Sequence, residues 1–335
     1  MEKAMIRLAA ACLFLLPAAL SAQTDLKCPD FRPRARTVTT SRMQPLRRGK
    51  DWLPGTPKSV NSVSCDMYGM KMEEAEYDGK TLVLKQSFVY LEKEDSKALC
   101  DKRRSEEKLT STFSEEAKSS MDDFCRANKK KDFGAVFVYD ASPSQGRETA
   151  RKPIRQIFRI FNARGFVAEE HSFDPLMNLE SVTLYAYDKG NNVTEMTVND
   201  ADGRQLKRET YAWNKPTASR IRSVYGQNNE LRAKTVYALR EDGTLRRELL
   251  TTYDSGEQPL AKTETYCDGK GLPQTELTFD ADSAEAKYEY TYTHKFDKKG
   301  NWTEQRRVKV TVYNGVRMQD DKRPPEITRR DFIYY

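Results

Sequence analysis

Only two histidines stand in the chain, His171 and His294. That scarcity nearly excludes multi-histidine metal centres and weakens any Ser-His or Cys-His mechanism, each of which needs an imidazole beside its partner. Three short phrases imitate known chemistry and fail on their surroundings. Gly79-Lys80-Thr81 ends like a phosphate-binding loop, but Glu74 stands where the first glycine belongs and a strand pattern follows where a helix should. Ser105-Glu106-Glu107-Lys108 has Ser-x-x-Lys spacing inside a highly charged helical stretch without a companion motif, and reads as a solvated face. Asp200-Ala201-Asp202-Gly203 precedes Glu209 at a calcium-loop distance, yet Val198 occupies the first ligand position, so a hairpin turn is expected. No catalytic, metal-binding or cofactor-binding set emerges, and no cofactor is expected.

Two further groups carry chemistry of a different kind. The aromatics Trp213, Tyr288, Tyr290, Tyr292 and Trp302 would stack against sugar rings if exposed, and would fill a sheet core if not. Adjacent acids such as Glu73-Glu74 and Glu169-Glu170 offer the carboxylates that an enzyme acting on an envelope polysaccharide or peptidoglycan would use in an acidic groove.

Cysteine usage bears on location. Cys28, Cys65, Cys100 and Cys125 lie before residue 130 without C-x-x-C spacing, which favours disulfides over metal ligation in an exported protein. Cys28 with Cys65 and Cys100 with Cys125 are the expected pairs, and Cys267 stands apart. The start of the chain agrees: Lys3 and Arg7 precede an apolar run from Leu8 to Leu20, and small residues follow, so residues 1–22 read as a cleaved secretory signal. That run is shorter than the roughly 20 residues of a spanning helix, and no transmembrane segment is expected. Export to the periplasm, outer surface or medium follows.

The elements that would position these residues divide by period. Residues 23–62 hold Pro29, Pro33, Pro45, Pro54 and Pro57 and read as an irregular lead-in. Thr81–Leu91 and Phe133–Tyr139 read as strands. Between them the chain is helix-forming, with a capping box at Thr112 to Glu115 and an apolar face of Phe113, Ala117, Met121, Phe124 and Cys125. Residues 23–150 are therefore expected to form a small α+β domain, joined at residues 140–153 to a second one.

From residue 151 to 335 the period is two, best seen where Tyr288, Tyr290, Tyr292, His294 and Phe296 alternate with polar residues. An aromatic-aspartate phrase recurs at Phe173-Asp174, Tyr187-Asp188, Tyr253-Asp254, Phe279-Asp280 and Phe296-Asp297, with Tyr266-Cys267-Asp268 read as a variant carrying one inserted residue. Its steps from 173 to 187, from 253 to 266 and from 266 to 279 are 14, 13 and 13 residues. Glycine or asparagine follows most of these phrases, as tight hairpins require. Each unit is a strand plus a turn, so the fold class expected is mainly β, an antiparallel hairpin array forming an open twisted sheet or partial barrel.

Tyr187-Asp188-Lys189-Gly190-Asn191, Tyr253-Asp254-Ser255-Gly256 and Phe296-Asp297-Lys298-Lys299-Gly300-Asn301 resemble the tyrosine-aspartate repeats of the Rhs and teneurin type, and also degenerate repeats of exported bacterial proteins of unknown function. The resemblance covers about half the chain. In the Rhs type such repeats wrap into a hollow shell around a toxic domain. This array looks too short to close, and no cargo segment follows it.

The 57 Lys and Arg outnumber the 50 Asp and Glu, for a net charge of +7 spread along the chain. Nucleic-acid binding, which needs a concentrated basic stripe, is not expected, and arginines between Arg32 and Arg48 are its nearest candidate. These readings converge on an exported binding or scaffolding protein of the cell envelope contacting a protein or glycan. The enzyme is the alternative.

Overall fold

The structure is a computed structural model. It describes residues 34–91, 97, 100, 123–129, 131, 133–140, 153–313, 316–319 and 323–335. The expected secretory signal, Cys28, the Ser105–Lys108 phrase, most of the predicted helix and most of the expected domain junction lie outside the described residues.

Among the described residues nineteen strands follow one another. The first five are β1 (Ala35–Arg48), β2 (Asp51–Cys65), β3 (Lys71–Asp78), β4 (Thr81–Leu91) and β5 (Phe133–Asp140). Next come β6 (Pro153–Phe161), β7 (Val167–Phe173), β8 (Leu179–Tyr187), β9 (Val193–Asp200) and β10 (Gln205–Asn214). Then follow β11 (Ser219–Tyr225), β12 (Leu231–Leu239), β13 (Leu245–Tyr253), β14 (Pro259–Cys267) and β15 (Pro273–Asp280). The last are β16 (Tyr288–Phe296), β17 (Trp302–Tyr313), β18 (Val316–Gln319) and β19 (Glu326–Tyr334).

The turns explain the recurring phrase. In each, an aspartate carboxylate accepts the amides two and four residues on: Asp174 from Leu176 and Asn178, Asp254 from Gly256 and Gln258, Asp268 from Lys270 and Leu272, all at 2.8–2.9 Å. The fourth residue turns left-handed, as Gly271 (φ 79°) and Gly300 (φ 87°) do. The aspartate thus holds a five-residue hairpin loop and the preceding residue ends the strand. Cys267 takes the aromatic's place before Asp268, so the unit at Tyr266 has no inserted residue. Phe279-Asp280 differs, because Asp280 opens a longer connection and its carboxylate meets Lys287 at 2.9 Å.

Successive strands from β1 to β18 pair antiparallel with their neighbours. β17 also pairs with β19, through Glu304↔Arg329 to Arg307↔Glu326, and β19 returns to β1, through Thr37↔Ile333 to Met43↔Ile327. The ring closes as an 18-strand antiparallel barrel with β18 hanging from β17. At about 4.8 Å per strand and a usual tilt, its perimeter is roughly 110 Å.

Closure overturns the open sheet, and the expected N-terminal α+β domain gives way as well. β1 to β5 belong to the same sheet as the repeats, and these five strands supply the circumference that residues 155–335 lack. Pro45, Pro54 and Pro57 of the supposed lead-in sit within β1 and β2, where the pairing shifts register between Arg42 and Met43 and between Met43 and Pro45. Proline is tolerated where the ladder is already interrupted.

The main apolar core lies on one face of β5–β7. Phe124, in a short helical stretch, packs among Phe133, Phe158 and Phe173, with ring centroids 5.1–6.0 Å apart. The Cys100–Cys125 disulfide holds that stretch in place, and both cysteines are buried. This confirms the expected pair. Cys65 is also disulfide-bonded. Elsewhere the wall is thin, and β9 is half-buried at all eight positions, as expected where neighbouring side chains cover one another on both faces of a sheet.

Candidate functional face

Strand pairing sorts every side chain to one of two faces, because directly opposed residues share a face. One row crosses eight strands in register: Trp213, Arg220, Tyr237, Glu248, Thr265, Glu276, Tyr290 and Lys309. The adjoining row on that face runs from Tyr211 and Arg222 to Thr278 and Tyr288. Tyr292 and His294 continue it along β16. Four of the five aromatics singled out from sequence, Trp213, Tyr288, Tyr290 and Tyr292, therefore lie on one face.

Two ionic clusters organise this face. Glu209 is 2% exposed and receives a two-point hydrogen bond from Arg222 at 2.7 Å, with Lys207 and the Tyr211 hydroxyl at 2.5 Å. Burial opposes the charge on Glu209, but the hydrogen bonds and positive charge of Arg222, aided by Lys207 and Tyr211, outweigh it and hold the carboxyl down to about 2. Glu276, also 2% exposed, accepts from Arg307 and from the Tyr292 hydroxyl, each at 2.5 Å. Burial, then the Glu276 charge, raises the Tyr292 phenol. Arg307 in turn lies 3.6 Å over the Tyr290 ring.

These contacts divide the aromatics by availability. Tyr290 and Tyr292 are tied into the Glu276–Arg307 cluster. Trp302 is 6% exposed, with Arg330 at 3.8 Å over its ring and His294 against it, so it is a packing residue. Trp213 remains 47% exposed and Tyr288 37%. Each has a cation at its ring: Arg220 at 5.5 Å from Trp213 and Lys309 at 3.3 Å from Tyr288.

The acidic pairs fare differently. Residues adjacent on a strand point to opposite faces, and Glu170 meets Arg159 and Tyr185 while Glu169 meets Lys131 and His171 across the sheet. Glu73 and Glu74 separate in the same way, toward Lys85 and Lys71. Neither pair converges. Glu248 is the carboxylate whose environment is most acid-like: burial, then the neighbouring Glu276 charge, raises its pKa, against a weaker pull from Arg222. Glu276, however, is locked by Arg307 and Tyr292, so no second free acid faces Glu248 there.

The remaining sequence candidates resolve as structure. Asp200 forms the standard turn, accepting the amides of Asp202 and Arg204, and Glu209 points into its ion cluster. Gly79-Lys80 is the tight turn between β3 and β4, with Gly79 at φ 58°. Among the described residues no group of three or more potential ligands could hold a metal. Cys267 is a buried free thiol, pushed up to about 11 by burial and then by Glu248 and Asp268. Burial lowers both histidines, with Glu169 opposing at His171.

Sequence reasoning missed Arg222, Glu248, Glu276, Arg307 and Lys309, and met Glu209 only as the last position of a rejected calcium loop. The signal was present in the hairpin: once the turn at residues 215–218 fixes the register, Tyr211 must oppose Arg222.

Neither face of β9–β17 has the continuous apolar band that lipid demands. Lys207, Arg222, Glu248 and Lys309 interrupt one face; Arg208, Lys234, Lys262 and Glu289 interrupt the other. Among the described residues no helix is long and apolar enough to cross a membrane.

No protein-family model matches the sequence, and no curated protein does. Among solved structures, a porin-like protein from Bacteroides uniformis is similar at 9% identity and a TM-score of 0.42, over 89% of this chain and 97% of that one. A porin-like protein from Bacteroides vulgatus is similar at 11% identity and a TM-score of 0.27, over 60% and 93%. The TcdB2-TccC3-TEV structure is similar at 10% identity and a TM-score of 0.21, over 80% of this chain but only 15% of that one. At these values the likenesses carry no argument about activity or partners.

Proposed function

We propose that the protein is an exported binding or scaffolding component of the cell envelope, and that its barrel wall contacts a glycan or protein through the Trp213–Tyr288 face. The observation that carries this reading is the contrast within that face. Most of its charged and aromatic groups are engaged with one another, while Trp213 and Tyr288 keep open ring surface beside a cation. Aromatic rings with adjacent charge suit sugar rings and polar polymers. The charges on both wall faces favour a barrel that works in water over one embedded in lipid. The signal-like leader and the cysteine usage support export, and the aromatic-aspartate turns support kinship with the tyrosine-aspartate repeat proteins.

Envelope fractions from cells expressing a tagged protein, followed by pull-down on purified envelope polymers and crosslinking, test the reading. Trp213→Ala and Tyr288→Ala are expected to weaken capture by about tenfold each, as loss of a stacking contact worth about 1.4 kcal/mol would. Capture that survives both substitutions together, in a folded protein, contradicts the assignment of this face.

A further inference from the structure

An apolar groove lies where the first strand meets the last. Thr37 of β1 stands between Ser64 of β2 and Ile333 of β19, and its hydroxyl pairs with that of Ser64 at 3.2 Å. Beside this row opens a cavity of about 480 Å³, bounded by Arg36, Thr37, Ser64, Cys65, Met72 and Ile333. Met67 and Tyr68 follow Cys65 in the β2–β3 turn, and the Tyr335 hydroxyl donates to the Cys65 carbonyl at 2.5 Å. All three are exposed, and Ile333 keeps 60% of its surface open. Apolar side chains gathered around a groove in this way mark a contact surface.

Two anchors lead the preceding stretch of chain to this groove. The Arg34 guanidinium donates to the Met67 carbonyl, so the chain enters β1 beside it. Cys65, in the groove wall, is disulfide-bonded. Of the six cysteines, Cys100 and Cys125 pair with each other and Cys267 is a free thiol, which leaves Cys12 and Cys28 as partners for Cys65. Cys12 lies in the apolar leader, whereas Cys28 comes six residues before Arg34. With Cys28 on Cys65, Phe31 is midway between the anchors, and three extended residues keep it within about 10 Å of each. Pro29 and Pro33 fix two of the φ angles between them and so lower the cost of ordering the stretch. Asp30, next to Phe31, carries the charge that suits Arg36.

We propose that residues 23–33 are the occupant of this groove: a Cys28–Cys65 bridge ties the segment down, and Phe31 seats in the cavity against Met72 and Ile333. Sulfur against an aromatic edge and an aliphatic neighbour suit that ring. The segment then straps β2, β1 and β19 together at the seam that closes the barrel. The contact is separate from the Trp213–Tyr288 face, so the two readings fail separately.

Peptide mapping of the full mature protein without reductant should return Cys28 joined to Cys65. In a second arm p-benzoylphenylalanine, an aromatic that inserts into nearby C–H bonds on irradiation, replaces Phe31 in the full chain. Its crosslink is expected within one molecule, on Met72 or Ile333, and Cys28→Ser with Cys65→Ser should remove most of it. Phe31→Ala should raise the fluorescence of a hydrophobic dye and speed amide exchange at the start of β1 and the end of β19. Leu176→Ala, at an exposed leucine in the β7–β8 turn, should do neither. Circular dichroism melting of each variant separates a lost strap from a lost fold. Cys65 joined to any other cysteine, or a probe at position 31 that reacts elsewhere on its own chain or nowhere, overturns the inference. A crosslink formed between copies also overturns it, in favour of a second copy in the groove.

Discussion

At the residue scale the wall is held by charges as much as by apolar packing, and pH exposes this. Glu209 is depressed in the fold to about 2, below an unfolded value of about 4.3. A depressed acid contributes stability that is complete above the unfolded value and disappears as pH falls through the folded one. The Glu209 contribution should therefore vanish between about pH 4.5 and pH 2. Urea denaturation across that window should show a steeper loss in the wild type than in Glu209→Gln. Glu248 runs the other way: its raised pKa favours the protonated form in the fold, so its contribution is present at low pH and lost as pH rises. Glu248→Gln should be more stable than the wild type at pH 7 and equal to it near pH 4.

Arg222→Met should cost about 3 kcal/mol, because it strips Glu209 of its two-point partner while the carboxylate stays buried. The urea midpoint measures this, and a change under about 0.5 kcal/mol would mean that Lys207 and Tyr211 suffice. None of these roles was legible along the sequence. Glu209 and Arg222 are 13 residues apart and meet only through pairing register, which becomes readable only once the turn at residues 215–218 is placed.

At the element scale the repeating unit was legible and its chemistry was not. The 13- or 14-residue step was read as aromatic plus aspartate, but the aspartate carries the signal, since it caps the loop, and the aromatic's place can be taken by Cys267. The same turn recurs at Cys65-Asp66, where Asp66 accepts the amides of Tyr68 and Met70 at 2.8 Å, and at Phe161-Asn162. The first lies outside the array as first drawn, and the second lies within it, hidden because asparagine stands in for the aspartate. Asp268→Ala should lose both loop hydrogen bonds and about 1–2 kcal/mol, read from the urea midpoint, with faster amide exchange confined to the ends of β14 and β15. The Cys100–Cys125 staple is an element-scale device too. Its loop of 25 residues predicts a loss of about 3 kcal/mol for Cys100→Ser with Cys125→Ser. Exchange should then rise first in β5–β7, whose apolar core the helical stretch covers.

At the scale of the whole molecule, closure is what the sequence hid. β1 and β2 carry prolines that read as breakers, β3 and β4 join through a two-residue turn outside the 13-residue rhythm, and helix-forming residues separate β4 from β5. Nothing in one strand announces that it will be met by another 290 residues away. With 18 strands paired around the ring, the two faces are defined all the way round, and the alignment of Trp213 with Tyr290 and Lys309 across eight strands follows from that continuity. An open sheet would leave β1 and β19 as bare edges prone to pairing between copies.

The most direct measurement is therefore a crosslink across the seam. Thr39 and Asp331 face one another in the β1–β19 pairing and are 292 residues apart in sequence. In the Thr39→Cys, Asp331→Cys protein, a closed barrel predicts rapid, intramolecular disulfide formation under mild oxidation, at a rate independent of protein concentration and abolished in urea. Failure to bridge in the folded monomer, or bridging only between copies, would contradict closure and the face built on it.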